Sequence, residues 1–509
     1  MATTTVIIDG ESLTLEDFTQ VVFNKCPVMI SPAAIEKMKQ SRQMVEQLVE
    51  KGRTIYGITT GFGKFSDTVI DREQSTALQL NLIKSHACGV GEPLSEATVR
   101  GMLLLRANAL VKGYSGVRPE TVQALLELLN RQIHPIIPSQ GSLGASGDLA
   151  PLAHMILPLL GLGEVTWNHQ RLSAKQALAK AKLKPIQLEA KEGLALINGT
   201  QMMTSLTANA ILAAHQLLLA ADIIAAMTID ALRGIPHAFH PLLHHVRGHQ
   251  GQITTAANLR TLLKGSKQTT QPGEKRVQDA YSLRCIPQVH GASKDAYHYV
   301  RKVIEVELNA ATDNPLLFPD QQEVISGGNF HGQPIALAAD FLAMALSEIG
   351  NISERRTERL VNPQLSGLPA FLTREGGLHS GYMILQYTAA SLVSENKTLC
   401  HPASVDSIPS SANQEDHVSM GSIAARKLER VVANTMRILA IEFVCAAQAL
   451  EFAEQKGGAG TQIAYNLLRE HLPPLDHDRE GYRDIEQAVS LIENGSLVQA
   501  IKQRLNIAV

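Results

Sequence analysis

The chain has 509 residues, with 46 Lys and Arg against 48 Asp and Glu, so its formal net charge is −2. This balance gives no electrostatic reason to expect nucleic acid or an anionic membrane as a partner. Hydrophobic residues make up 45% of the chain but aromatic residues only 4%. Ala and Leu lose little entropy in a helix, whereas strands favour aromatic and β-branched residues. The composition therefore predicts a mainly α fold.

Cysteine usage and the N-terminus indicate the cellular compartment. The five cysteines are scattered without a C-x-x-C pair, which is typical of a reducing compartment: Cys26, Cys88, Cys285, Cys400 and Cys445. No basic segment followed by an apolar one opens the chain, so we expect no secretory signal. The most apolar stretch, from residue 208, contains His215, Gln216 and Asp222, which favours a buried helix over a membrane span. We expect a soluble, cytoplasmic protein.

The N-terminal part alternates helical patterns with loops. Ser31-Pro32 is a good N-cap and N1 pair for a helix over 31–50. Further helical spacing covers 14–23, 72–87, 95–111 and 118–131, and the glycines of TIYGITTGFGKF (54–65) predict a loop. Two prolines and three glycines in PIIPSQGSLGASGD end the helical pattern, and VTW followed by QRL near 165–172 predicts a small hairpin.

Long apolar helical patterns dominate the remainder, over 201–233, 291–311, 333–358, 382–398 and 419–453. Each exceeds the ordinary length of a globular helix. We therefore expect two regions: residues 1–200, rich in loops, and residues 201–509, a central bundle of long helices followed by C-terminal helices. Helices that are apolar nearly all round need neighbours to cover them, so we also expect an oligomer.

The stretch GSLGASGDLAPLAH (141–154) is the strongest candidate for chemistry. It matches neither a phosphate-binding loop nor a dinucleotide fingerprint. One interpretation is a plain loop that leads into a helix with Asp148 as its N-cap. The other is main-chain chemistry, in which the Gly147 nitrogen attacks the Ala145 carbonyl carbon. Loss of one water from the resulting adduct, and of a second water from the Ser146 side chain, would leave an electrophilic alkene conjugated to a ring carbonyl.

Seven motifs in order carry a resemblance to a known family: TIYGITTGFG, GASGDLAPLAH, EGLALINGTQ, VQDAYSLRCIPQ, DNPL, SGGNFHG and NQEDHVSM. Together they resemble the aromatic amino-acid ammonia-lyases over nearly the whole chain. The resemblance implies that Ala145, Ser146 and Gly147 form a 4-methylidene-imidazol-5-one (MIO) group, with no metal or diffusible cofactor. It also implies a long-helix fold and a homotetramer with shared active sites.

Two positions indicate the substrate. SHACGVG places His86 after Ser85, and NQEDHVSM places Glu415 where tyrosine and phenylalanine lyases usually have Gln. An imidazole side chain needs a hydrogen-bonding carboxylate, whereas a phenyl ring does not. The resemblance then implies non-oxidative deamination of L-histidine to trans-urocanate and ammonia. A tyrosine or phenylalanine lyase, or an aminomutase, is the alternative within the family.

The resemblance also implies roles for individual residues. Tyr56 or Glu415 takes the β-proton, Tyr281 belongs to the catalytic set, and Ala145, Ser146 and Gly147 form the electrophile. The substrate-binding residues by resemblance are His86, lining the imidazole pocket with Glu415; Asn198, near the MIO carbonyl; Gln278, supporting the pocket; Arg284, holding the carboxylate; and Phe330, shielding the electrophile.

A different class of protein, an inactive helical scaffold or a metal-binding protein, is the remaining alternative. The histidine-rich segment HAFHPLLHHVRGHQGQ has His240 and His244 at i, i+4, a spacing that suits a metal on a helix. Pro241 and Gly248 interrupt that face, so we expect a polar segment at or near the surface and no metal.

Overall fold

The computed structural model describes residues 5–52, 55, 57–58, 60–61 and 74–509, and most of them are helical, as predicted. The first eight helices are α1 (Leu15–Val22), α2 (Pro32–Glu50), α3 (Ser75–His86), α4 (Glu96–Val111), α5 (Pro119–Asn130), α6 (Leu149–Ile156), α7 (Ala174–Lys180) and α8 (Glu192–Ile197). The remaining twelve are α9 (Gln201–Ala231), α10 (Pro241–His245), α11 (Gln250–Leu262), α12 (Tyr281–Arg284), α13 (Ile286–Glu307), α14 (Gln333–Val361), α15 (Pro363–Ser366), α16 (Met383–Leu399), α17 (Gly421–Leu450), α18 (Ala459–His471), α19 (Gly481–Glu493) and α20 (Ser496–Lys502).

Two compact units divide the chain. The first unit comprises Met1–Asn209, Lys302–Ala339 and Pro402–Arg426, and the second comprises Ala210–Arg301, Asp340–His401 and Lys427–Val509. Each unit is therefore assembled from separated parts of the chain. The division of the chain at residue 200 into an N-terminal and a long-helix region stays a prediction.

The described strands all lie in the first unit and form small sheets. They are β1 (Val6–Ile8), β2 (Val28–Ile30), β3 (Val90–Pro93), β4 (His134–Pro135), β5 (Pro138–Gln140), β6 (Glu164–Trp167), β7 (Gln170–Ser173), β8 (Leu316–Phe318) and β9 (Glu323–Ile325). The pair β1–β2 is parallel, whereas β3–β5, β4–β6, β6–β7 and β8–β9 are antiparallel. The predicted hairpin is β6–β7, with Val165 opposite Leu172.

Local signals account for several helix boundaries. The Ser31 side chain accepts a hydrogen bond from the Ala34 N–H, and Pro32 opens α2, which confirms the predicted cap. Helix α13 begins at Ile286, five residues before the predicted start. Pro287 is compatible with this start, because a backbone N–H in the first turn of a helix has no partner within that helix. It ends at Glu307, whereas the pattern had predicted 311. In α4 nearly every side chain from Thr98 onward is buried, so this helix forms the core of the first unit.

Three described helices have the length and apolar composition that a membrane span requires: α9, α14 and α17. Within their most apolar windows, 78%, 67% and 89% of the residues, respectively, are buried inside the protein. In the second unit Asp222 of α9 is fully buried and accepts from Lys294 Nζ at 2.6 Å. Most of the apolar window of α9 is thus covered by protein and the Asp222 charge is paired, as predicted for a buried helix.

Candidate active site

The Ala145-Ser146-Gly147 triplet lies in the first unit, in a loop that is hydrogen-bonded on both sides. On the N-terminal side, the Gly144 N–H donates to Ser142 Oγ at 3.2 Å and the Gly144 carbonyl accepts from Ser419 Oγ at 3.0 Å. On the C-terminal side, the Gly147 carbonyl accepts from Ser142 Oγ at 3.2 Å. The flanks of the triplet are therefore held by side chains as well as by the backbone.

Gly147 is the one triplet position that only glycine fits. Its φ is +69°, and a Cβ there would stand 2.1 Å from the Gly199 carbonyl oxygen. Gly147 and Gly199 form a parallel bridge, and the next residue, Asp148, donates its N–H to the same Gly199 oxygen at 2.7 Å. The third residue of the triplet is thus pressed against the segment that follows α8.

Asp148 differs from its sequence interpretation. It stands at the N-cap position of α6, but its side chain makes no cap hydrogen bond to that helix. Instead Oδ2 accepts from the N–H groups of Met202 and Met203 at 2.9 and 3.0 Å, and Oδ1 accepts from Ser422 Oγ at 3.0 Å. Asp148 therefore caps the first turn of α9. Complete burial raises its pKa to about 7, although these three hydrogen bonds oppose the shift.

Glu415 lies beside the triplet. Ser146 Oγ donates to Glu415 Oε1 at 3.4 Å, while Ser410 Oγ donates to Oε2 at 2.9 Å. A backbone bridge between Ser410 and Glu415 holds the carboxylate in this position. The structure thus brings together Ser146 and Glu415, which are 269 residues apart in sequence.

His86 ends helix α3 in the first unit. Its Nδ1 lies 2.9 Å from the Leu82 carbonyl oxygen, which requires the proton to be on Nδ1 and leaves Nε2 as the acceptor in the neutral ring. Burial lowers the pKa of His86, and the bond to Leu82 and the Glu415 carboxylate partly offset this shift. The Glu415 carboxylate thus acts on His86 electrostatically, and the pocket that the resemblance implies for the two residues stays a prediction.

Phe330 and Asn198 also belong to the first unit. Phe330 is half-buried in the segment before α14, and the next residue, His331, stacks on His417 with ring centroids 5.7 Å apart. This stack joins the segment of Phe330 to the segment of Glu415. Asn198 is 3% exposed and directly precedes Gly199, the partner of Gly147.

Gln278, Tyr281 and Arg284 lie in the second unit. The Arg284 guanidinium is 4.6 Å from the centre of the Tyr281 ring, and the Tyr281 side chain is 72% exposed. Arg284 Nε is buried without a hydrogen-bond partner among the described residues. Asp279 fixes this segment, since its carboxylate accepts from Arg276 Nε and from the Ile235 N–H. Tyr56 lies outside the described residues, so its predicted role stays a prediction.

The histidine-rich segment differs from its predicted surface position at His244. This side chain is 1% exposed, with Nδ1 2.9 Å from Gln252 Nε2 and Nε2 3.1 Å from the Ala238 carbonyl oxygen. His240 uses its Nδ1 to accept from the Leu242 N–H. Both ring nitrogens of His244 are therefore occupied by protein groups, which explains its burial. Among the described residues no group of three or more His, Cys, Asp or Glu is placed to hold a metal.

Sequence reasoning missed the residues that support the site. The side-chain hydroxyls of four serines form hydrogen bonds to the triplet loop, Glu415 and Asp148: Ser142, Ser410, Ser419 and Ser422. Ser142 and Ser419 lie inside the quoted stretches, and Ser410 and Ser422 lie two or three residues outside NQEDHVSM, but residue type alone indicated none of these contacts. Serines are common in loops, and which of them reach a distant segment depends on the fold.

Comparisons with known proteins show the family of the chain. Residues 13–470 match the family model described as aromatic amino acid lyase. The chain is 59% identical over 494 residues to histidine ammonia-lyase of Symbiobacterium thermophilum, covering 97% of each chain. It is 57% identical over 503 residues to histidine ammonia-lyase of Alkaliphilus oremlandii, covering 99% of each.

Solved structures show the same fold. The crystal structure of histidine ammonia-lyase from Trypanosoma cruzi has a TM-score of 0.92 at 45% identity, covering 98% of this chain and 95% of that one. Tyrosine aminomutase from Streptomyces globisporus has a TM-score of 0.95 at 39% identity, covering 99% of each.

The chain therefore belongs to the aromatic amino acid lyase family, a class of long-helix enzymes. Within that family it is similar over nearly its full length to histidine ammonia-lyases.

Proposed function

We propose that this chain eliminates ammonia from L-histidine to give trans-urocanate, with the Ala145-Ser146-Gly147 triplet as the source of the MIO electrophile. The Cα–N bond and one Cβ–H bond break, and a double bond forms between Cα and Cβ. The observation that carries the proposal is Glu415 Oε1 at 3.4 Å from Ser146 Oγ, and the same carboxylate acts electrostatically on His86. A carboxylate next to the reacting triplet suits an imidazole side chain, which offers an N–H.

The triplet fits formation of the MIO group. Gly147 has a positive φ and is pressed against Gly199, and hydrogen bonds from Ser142 and Ser419 hold residues 144 and 147. Fixed flanks limit how far the Gly147 nitrogen and the Ala145 carbonyl carbon can separate. When formed, the group supplies an electron sink that standard side chains lack.

The remaining roles concern binding and proton transfer. Glu415 holds the imidazole, and the neutral His86 ring offers Nε2 as an acceptor in the same pocket. Arg284 binds the substrate carboxylate, because a guanidinium can form a forked pair with it. Gln278 and Tyr281 support this segment, and Phe330 keeps water from the triplet. Tyr56 or Glu415 accepts the β-proton.

The assembly proposed is a cytoplasmic homotetramer with active sites shared between subunits. In the second unit, large apolar side chains remain exposed on long helices: Tyr299 on α13, Phe341 on α14, and Ile384 and Tyr387 on α16 are 43–61% exposed. Tyr281, a predicted site residue, is itself largely exposed in the single chain. Covering these side chains with other subunits would remove apolar surface from water. Light scattering on the purified protein tests the assembly.

A substrate comparison tests the reaction. The purified protein is incubated separately with L-histidine, L-tyrosine and L-phenylalanine, and the ultraviolet absorbance of each conjugated acid is followed. We expect product from histidine at a rate far above the other two. Faster release of the product from tyrosine, or accumulation of a β-amino acid, would instead establish a tyrosine lyase or an aminomutase, the enzyme type of one structural relative.

Peptide mass spectrometry tests the electrophile separately. The peptide that contains Ser146 should be lighter than its sequence mass by two waters. An unmodified peptide in an active preparation would contradict the proposed source of the electrophile. An unmodified peptide in an inactive preparation would support the inactive scaffold.

A further inference from the structure

The Asn198 side chain presents one unused hydrogen-bonding atom. Asn198 Nδ2 donates to the Asn314 carbonyl oxygen at 3.2 Å and lies 3.5 Å from Asp313 Oδ1. Its Oδ1 is buried and has no hydrogen-bond partner among the described residues. A buried acceptor without a partner carries a free-energy cost, which a ligand with an N–H can relieve.

The direction of the Asn198 amide is set by its neighbours. Both groups near Nδ2, the Asn314 carbonyl and the Asp313 carboxylate, are acceptors, so the reversed amide would place oxygen against oxygen. Asp313 Oδ1 also accepts from the Asn314 N–H at 2.7 Å, which fixes that carboxylate oxygen in place. The amide oxygen of Asn198 is therefore the atom left for a ligand.

Lys191 keeps Asp313 in this arrangement. Its Nζ lies 2.5 Å from Asp313 Oδ2, and the two side chains are 0% and 2% exposed. Arg106 is a second buried cation here, since its Nη1 donates to the Asn198 carbonyl at 2.9 Å. Burial lowers the pKa of Lys191, while the Asp313 carboxylate opposes the shift. Pairing with a cation compensates the desolvation of the carboxylate, so that it can act as an acceptor for Asn198.

We propose that Lys191 and Asp313 are positioning residues that hold the Asn198 amide so that its Oδ1 accepts an N–H of the substrate α-amino group. The proposal rests on the proposed function. Asn198 directly precedes Gly199, which pairs with Gly147, so the segment that carries this amide runs beside the triplet. Under the proposed function, the substrate imidazole binds Glu415 and His86. The α-amino group is then the remaining substrate N–H donor for Asn198 Oδ1. A site built around such an acceptor discriminates against a ligand that lacks the donor.

Binding to an inactive enzyme isolates this hydrogen bond. In the full-length Ser146→Ala variant, L-histidine can be titrated without turnover and compared with 3-(imidazol-4-yl)propanoate, which lacks only the amino group. Calorimetry gives the ratio of the two affinities. We expect Asn198→Ala, Asp313→Asn and Lys191→Met, each added to Ser146→Ala, to weaken L-histidine about tenfold and the deamino ligand less than twofold.

A second buried Lys–Asp pair supplies the matched control. Lys294 Nζ lies 2.6 Å from Asp222 Oδ2, both side chains are 0% exposed, and the other partners of this pair are His290, Asn258 and the Ala508 carbonyl. Lys294→Met removes the same charge at the same burial but should leave the affinity ratio unchanged. If Lys191→Met fails to fold, Asp313→Asn tests the positioning role in its place. Asn198→Ala by itself tests whether Oδ1 accepts the substrate N–H.

The outcomes separate this inference from the proposed function. An unchanged ratio in Asn198→Ala overturns the inference, as does an equal change in Lys191→Met and Lys294→Met. If wild-type enzyme meanwhile releases urocanate from histidine, only the positioning role has failed. If wild type releases no urocanate, the proposed function has failed.

Discussion

Replacing Gly147 by Ala tests the close contact between the triplet and Gly199. The new Cβ would stand 2.1 Å from the Gly199 carbonyl oxygen and 2.4 Å from its carbon, at a φ of +69°. The left-handed conformation costs a non-glycine residue about 1–2 kcal/mol. Separation of the two segments would also weaken the 2.7 Å bond from the Asp148 N–H to the Gly199 oxygen, which contributes about 1 kcal/mol. We expect a loss of about 3 kcal/mol or more of unfolding free energy.

Gly367→Ala is the matched control. Gly367 has a φ of +74°, but a Cβ there would meet no atom within 4 Å. This variant should lose only the conformational contribution of about 1–2 kcal/mol and keep full activity. Thermal unfolding at fixed protein concentration, the mass of the Ser146 peptide and urocanate absorbance are measured on both variants. Equal unfolding midpoints, with the two-water deficit retained in Gly147→Ala, would refute the reasoning.

Three further predictions concern the triplet and the side chains around it. Ser146→Ala should lose turnover and the two-water deficit while keeping the helical circular dichroism of wild type; near-normal turnover would contradict the mechanism. Glu415→Gln removes a charged acceptor, so kcat/KM for L-histidine should fall about 10- to 150-fold, whereas any activity on L-tyrosine should fall less; equal losses would contradict the assigned role. The pKa of Asp148 is raised to about 7, so the folded state binds a proton at this carboxyl more tightly than the unfolded chain does. The contribution of Asp148 to stability is therefore lost as the pH rises from about 4 to about 7. The unfolding midpoint of Asp148→Asn, relative to wild type, should therefore rise between pH 5 and pH 8, and a pH-independent difference would contradict the burial argument.

Local patterns predicted most of the elements because their causes are local. The helix that begins at Pro32 follows from Ser31 and from apolar spacing within 19 residues, and the β6–β7 hairpin joins segments two residues apart. The same reasoning placed Asp148 at the start of α6 correctly. It could not show that the carboxylate caps α9, because that contact joins residues 54 and 55 positions apart.

The sequence motifs name candidate site residues, but not the side chains that hold them. The motifs indicated Ser146, Glu415, His86 and Asn198, and the structure places these four in one unit. It was the fold that showed Ser410 beside Glu415. For His244 the prediction from sequence was wrong. Its polar sequence context predicted exposure, whereas the side chain is buried with Gln252 and the Ala238 carbonyl as partners of its two ring nitrogens.

The hydrogen bonds around the triplet bear on how this loop would undergo the proposed main-chain chemistry within a stable fold. The groups that hold it, from Ser142, Ser419 and Asp148, act on residues 144, 147 and 199–203 and not on the Ala145 carbonyl or the Ser146 hydroxyl. The proposed cyclisation would consume the latter two groups, and with them the Ser146 bond to Glu415, without breaking these bonds. Preorganised flanks reduce the entropy that ring closure must overcome, and bonds that persist afterwards keep the product in position. The same loop can therefore serve first as reactant and afterwards as the support of the electrophile.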